Sequence, residues 1–550
     1  MPLSKSLNAG VFRHFSSVPR LRNLSKIPPW QRPRAVKEAR QALIDYLHFT
    51  RLVPFAYAEY ISKHALVSLS QLIASVDFSP SDFSKSLKKF LRYHPINELE
   101  FFYESIGIDY NEVQRFLPRD KFFFCEDGRA FSAATALSTF GFPWNKLGLL
   151  YKAERSIFSK DSEELASRLS VFMDCGFSNV AVVGICLAFP CLLNGEFGDL
   201  LDDLKKVFFD FDLVSYVEEN VDAWYEICTK IRVFYDLGLD KGKVGELIGK
   251  SKSIFVDHPL DVVVQKADYF CKFGVEKKCV GMLLLQRPEI FNFDLLTPEI
   301  SIKGFLKHFG LSEKELKSVG QKYPHVMGKN KMINLPHVFR ALDLHVWAFN
   351  KIMQGNHLIL ASYAMSDSNG DLDKEYRDSL ARIQASRYSV HIMTKLDFMH
   401  GIGFGQNSLT IKALTHIHGC SSELKERFDS LLHTGINFSK LCMMIKRAPK
   451  ILNQKPETLV QKVSYLCQET GHSFQYLYLF PAFLCFDLEN RIRPRYSFHM
   501  WITEKGLCAK HYSIASVVAT SEKQFIARIY GIHPAALKHW FECFLPRKSN

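Results

Sequence analysis

A glycine that returns every 34 to 36 residues is the feature that most restricts how this chain can fold. Origins at Gly107, Gly141, Gly176, Gly238, Gly274, Gly310 and Gly435 align seven units. The residue after each is apolar (Ile108, Phe142, Phe177, Leu239, Val275, Leu311, Ile436), and so is the one four before (Tyr103, Leu137, Phe172, Phe234, Phe270, Leu306, Leu431). Apolar residues recur six, nine and sixteen positions on, the last set being Phe123, Ile157, Leu192, Ile254, Ile290, Val326 and Ile451. Uninterrupted neighbours stand 34, 35, 36 and 36 residues apart, a period that defines stacked supersecondary units.

Each position has a physical reason. The apolar residue four before Gly closes a first helix, and Gly supplies the left-handed residue just past its end. A polar N-cap follows, as at Ser178, Ser312 and Asn437, with Ser312 and Glu315 spaced as a capping box. The positions six and nine after Gly share one face of a second helix. Fourteen after Gly stands Pro190, Pro288, Pro324 or Pro449, which ends that helix and opens a tight turn; Arg155 and Lys252 fill the slot in two units. A helix, helix, short-turn unit cannot bury its apolar face alone, so the spacing predicts an all-α solenoid of right- or left-handed twist.

Chemistry is sparse by comparison. There is no GxxxxGK[ST], HExxH or GxSxG, and Gly401 to Gln406 lacks the last glycine of a dinucleotide fingerprint. His416 and His418 fall on different sides of a helix. The 13 Cys contain no CxxC, and the closest pair, Cys186 and Cys191, sits in an apolar run, as buried thiols of a reducing compartment do. These patterns predict neither catalysis nor a cofactor nor a metal. Val180 to Leu193 is short and broken by Pro190, so no membrane span is expected.

The net charge of +13 lies at the ends. Residues 1–37 hold eight Lys or Arg and no acid, and residues 486–550 hold ten basic and five acidic side chains; the long middle, 38–485, is balanced. Leu3, Leu7 and Val11 form an apolar stripe among cations, and Arg13-His14-Phe15 precedes Ser16 in the manner of a matrix-protease site. Residues 1–37 therefore read as a mitochondrial presequence rather than a plastid one. The remainder divides into a helical cap at 38–95, a repeat array at 96–510 and a helical basic tail at 511–550. Two long intervals, 62 residues from Gly176 to Gly238 and 125 from Gly310 to Gly435, imply degenerate units with insertions at about 195–235 and 340–395. Gly403 heads one such unit, although Gly419 falls at its apolar pair. The polar tract Met365 to Glu375 reads as a solvated loop: Asp367, Asn369 and Asp371 are spaced for calcium, but Leu372 stands where that loop needs Gly.

Beyond the repeats, Phe480-Pro481 leads into Leu488-Glu489-Asn490-Arg491-Ile492-Arg493-Pro494-Arg495-Tyr496, then Lys505-Gly506-Leu507 and Ser521-Glu522-Lys523-Gln524-Phe525. With the glycine-to-proline spacing, which tetratricopeptide and pentatricopeptide arrays lack, this resembles the mitochondrial transcription termination factor (mTERF) family, in its plant organellar branch, over about 95 to 530. The resemblance implies a monomeric superhelix that presents Lys and Arg to double-stranded organellar DNA in transcription termination or its regulation. The alternatives are organellar RNA, in processing or splicing, and a protein partner; the charge balance of 38–485 speaks for the last. Candidate phosphate contacts are Lys440, Lys446, Arg447 and Lys450 about Pro449, then Arg491, Arg493 and Arg495, and Lys250, Lys252, Arg287 and Lys322 near other turns.

Overall fold

In five units the N–H of the residue after Gly returns to the carbonyl five residues earlier. Examples are Ile108 to Tyr103 at 3.2 Å, Phe142 to Leu137 at 3.1 Å and Leu311 to Leu306 at 3.0 Å. In those five units the two apolar positions that flank the glycine are the two ends of one helix-closing hydrogen bond. All seven glycines take positive φ, from +75° at Gly274 to +128° at Gly141. Ser178 accepts the N–H of Ala181, Asn437 that of Lys440, and Ser312 closes its capping box with Glu315. The second helices end in 3-10 turns at Pro190–Leu193, Pro288–Asn292 and Pro449–Asn453.

The computed structural model describes residue 24 and residues 27–544, apart from 127, 196–197, 363–372 and 509–511. Most of the expected presequence and nearly all of the polar tract, including Asp367, Asn369 and Asp371, lie outside the described residues. The described chain forms two compact units, residues 1–268 with 281–291, and residues 269–280 with 292–550. Among the described residues the only strands are Glu299–Ser301 and Lys329–Lys331, paired antiparallel with Ile300 opposite Asn330.

The first unit opens with helix Arg32–Asp45, which starts inside the stretch assigned to the leader. Ala35, Ala39, Leu43 and Leu47 are fully buried, so the core recruits residues before the boundary drawn at 37. Helices Phe55–His64, Leu66–Ala74 and Phe83–Tyr93 complete this cap. Buried Glu104 accepts the N–H groups of Val67 and Ser68 and so caps helix Leu66–Ala74 from outside it. Helix Asn179–Ala188 crosses Val221–Asp236 so closely that a Cβ on Gly184 would meet the Cβ of Trp224 at 2.3 Å.

The long intervals hold units whose left-handed residue is Asp. Asp212 has φ +53° and Asp343 has φ +62°, a conformation that Asp tolerates better than most side chains. The first interval carries a truncated unit: helix Gly198–Lys205 runs on to Asp210, then Asp212, then the single turn Val214–Tyr216. Helix Val221–Asp236, placed in the insertion by the spacing, is the first helix of the Gly238 unit. In the second unit, Leu335–Ala341, Asp343 and His345–Met353 make a complete repeat. The added element there is helix Lys374–Gln384, paired with Ser389–Gly401, the first helix of the Gly403 unit. Gly471 and Gly506, with φ +69° and +68°, end two more helices. The expected tail folds back on helix Arg493–Glu504: Phe498, Ile502, Val517, Phe525, Ile529, Ala536 and Trp540 share one core.

Candidate nucleic-acid interface

Many basic side chains of the array are engaged inside it. Lys230 donates to the carbonyl of Phe255 at 2.9 Å, Arg427 to Leu452 at 2.9 Å, Lys395 to Ile417 at 3.2 Å, Lys462 to Leu484 at 3.0 Å and Arg168 to Gly195 at 2.7 Å. In each case a cation on the first helix satisfies a carbonyl in or just after the short turn of the same unit, where helical hydrogen bonding has ended. Four of the five stand eight residues before the unit's left-handed glycine, and buried Lys266 occupies the same place before Gly274. That recurrence is legible in the sequence and, in those four units, marks the cation that ties the first helix to its turn.

The candidates in the first unit are partly engaged. Lys250 pairs with Glu246 at 2.5 Å. Lys252 lies 4.5 Å above the ring of Tyr216 and donates to the carbonyl of Phe211 at 3.3 Å. Arg287 is half-buried, and its Nε has no hydrogen-bond partner.

The closing motif also serves the fold. Arg495 is 2% exposed, donates to the carbonyl of Thr520 at 2.6 Å, pairs with Glu522 and lies 4.5 Å from the ring of Phe525. Arg491 donates to the carbonyls of Val518 and Thr520 at 2.9 and 2.8 Å and covers Phe486. Arg493 forks onto Glu469 and also reaches Glu489 at 3.1 Å. Sequence reasoning set these three toward a phosphate backbone. Instead, Arg491 and Arg495 satisfy carbonyls at the end of helix Ile514–Val518 and just beyond it, and Arg493 is already neutralised by two carboxylates.

Most of the remaining candidates in the second unit lie around the Pro449 turn. Lys446 is half-buried, while Arg447 and Lys450 are exposed; among the described residues none of them pairs with a carboxylate. They sit at the C-terminal end of helix Phe438–Arg447, where the helix dipole favours positive charge. Arg447 donates to the carbonyl of Tyr478 at 2.9 Å, and Lys440 stands 5.9 Å from the same ring, so both border Tyr478. The turn packs beside the next one, Pro481–Cys485. On the other side, Lys446 acts on His325, whose ring lies 6.4 Å from that of Tyr323, and Lys322 stands 4.9 Å from the Tyr323 ring.

Burial drives the imidazole of His325 down to about 3, reinforced by the charge of Lys446. Among the described residues neither ring nitrogen has a hydrogen-bond partner. Among the described residues no three His, Cys, Asp or Glu side chains converge as metal ligands. No single described helix is long and apolar enough to cross a membrane; Ser162–Asp174 and Asn179–Ala188 satisfy the length and composition only as a pair bent by 113°.

Glycine-closed helical pairs and cation-tied turns define a helical-repeat protein. The mTERF family model matches residues 217–342 and 383–526. The chain is 52% identical, over 98% of both lengths, to the mitochondrial transcription termination factor MTEF18 of Arabidopsis thaliana. It is 24% identical over 403 residues to the chloroplastic transcription termination factor MTERF8 of the same plant, covering 65% of this chain and 75% of that one. The chain belongs to the mTERF family, and it is a mitochondrial member, an organellar regulator of the nucleic-acid-binding kind.

Proposed function

We propose that the chain binds double-stranded mitochondrial DNA as a single copy and controls transcription there, with termination as the step it governs. The observation that carries this is the group Lys440, Lys446, Arg447 and Lys450 about the Pro449 turn, with Lys322 on another repeat unit; none of the five forms an ion pair with a carboxylate among the described residues. Phosphate neutralisation by such a group supplies affinity through counterion release, independent of sequence. Specificity then comes from base contacts or from duplex deformation. Arg491, Arg493 and Arg495 are left out because their guanidinium groups are engaged. Lys250, Lys252 and Arg287 belong to a weaker second group. The name of the Arabidopsis relative, alike over nearly its whole length, supports transcription termination as the process.

The test is binding of the processed protein to a mitochondrial DNA duplex, to the matching RNA and to heparin, each measured across salt. The expected result is tighter binding to the duplex, with a log–log salt slope of roughly −4 to −5 for five phosphate contacts. Preference for the RNA moves the protein to transcript processing. The balanced charge of residues 38–485 favours one further reading, a protein-binding solenoid. A slope near zero on both nucleic acids selects it.

A further inference from the structure

Helix Lys374–Gln384, which the repeat pattern does not call for, forms a hairpin with Ser389–Gly401, the first helix of the Gly403 unit. Its base is anchored: the Tyr376 hydroxyl is 3.0 Å from His400 Nε2, and Asp373 accepts the N–H of Ser408 at 3.0 Å. Its tip is exposed. Tyr388 is 69% and Val390 78% accessible, and Arg382, Arg387 and His391 stand exposed around them. From Ser379 to Leu396 the chain has no carboxylate, so the tip is cationic as well as apolar. Arg382 is steadied by the carbonyl of Asp378 and by Ser379 Oγ at 3.2 and 3.0 Å, which holds it along the hairpin, while Arg387 has no recorded partner among the described residues.

We infer that this tip is a second nucleic-acid contact, one that takes an unpaired strand. The inference rests on the nucleic-acid reading above and adds to it a different chemistry. Arg382 and Arg387 meet phosphates, and the Tyr388 ring, with Val390 beside it, offers a face to an unstacked base. An unpaired base can stack on the exposed Tyr388 ring, which a base held inside a duplex cannot. The cations at the Pro449 turn meet backbone charge, so the two sites differ in what they demand of the strand.

The test uses the full chain and two fluorescently labelled probes, a mixed-sequence DNA single strand and the duplex of the same sequence. Tyr388→Ala is expected to weaken single-strand binding roughly tenfold and to leave duplex binding within about twofold, with Tyr388→Phe restoring it. Arg382→Ala with Arg387→Ala is expected to lower the single-strand salt slope by about 1.4. Unchanged helicity by circular dichroism shows that the exposed-site variants fold. The inference is overturned if Tyr388→Ala leaves single-strand binding unchanged, which points to a protein occupant for the tip, or if both probes weaken equally. Should the wild-type chain bind neither probe, the nucleic-acid reading falls with it; binding of the duplex with indifferent Tyr388 variants removes the tip alone.

Discussion

Arg427 donates through Nη1 to the carbonyl of Leu452 at 2.9 Å and to that of His418 at 3.0 Å. One side chain thus ties the first helix of its unit to the turn that ends it and to the close of the preceding unit. The same tie, made by Lys or Arg, recurs through the array. It commits several cations of a charge-balanced middle to the fold and withholds them from any ligand.

Replacing Arg427 with Ala removes a charged donor from two carbonyls at once. The expected loss is about 2 kcal/mol, read as a lower midpoint of thermal unfolding. The salt slope of nucleic-acid binding stays as in the wild type. A fall in slope without a fall in midpoint would place Arg427 at the ligand instead.

Two glycine substitutions separate backbone strain from packing. At Gly238 (φ +88°) an added Cβ meets nothing within 4 Å, so Gly238→Ala carries only the conformational cost, about 1 kcal/mol. At Gly107 (φ +100°) the Cβ would lie 2.1 Å from the carbonyl oxygen of Asn145. Gly107→Ala therefore forces the backbone apart, and its loss exceeds that of Gly238→Ala by about 2 kcal/mol. Equal midpoints for the two variants would contradict the close approach of those units.

The triple variant Lys446→Ala, Arg447→Ala, Lys450→Ala is expected to flatten the salt slope by about 2.7. Arg495→Met should do the reverse: it leaves the slope unchanged and lowers the unfolding midpoint, because Glu522 and the Thr520 carbonyl lose their buried donor. Titration of a labelled duplex at several salt concentrations distinguishes the two behaviours.

His325 makes stability depend on pH. Its folded value is near 3 against an ordinary 6.5, so the native imidazole stays neutral while the unfolded one takes up a proton below about 6.5. The unfolded state then binds more protons, and stability declines as pH falls from about 6.5 toward 3. His337, also driven to about 3 by burial with the Arg340 charge beside it, adds to the same trend. His325→Leu is expected to narrow the gap between unfolding midpoints at pH 8 and pH 5. A gap as wide as in the wild type would mean that His325 does not report on this window.

Some of what the repeat pattern missed has a plain cause. A search keyed on glycine passes over Asp212 and Asp343, although Asp reaches the same left-handed backbone. The Gly471 unit escaped because its second helix, Phe474–Leu479, is short; Pro481 therefore falls ten residues after the glycine and not fourteen. The hairpin partner Lys374–Gln384 has no place in the period, so only its packing identifies it.

The sequence by itself determined the helix, helix, turn unit, where most helices end, and which residues face the core. Those properties depend on φ, capping and apolar spacing within about fifteen residues, all local. Tertiary structure alone decided which cations are free. Arg491 and Arg495 finish at carbonyls more than twenty residues away, and Arg493 at a carboxylate on an earlier helix, whereas Lys446 and Lys450 meet no such partner among the described residues. A cation's availability depends on what the fold brings within hydrogen-bond reach, and residues that distant in sequence leave no periodic trace of the meeting.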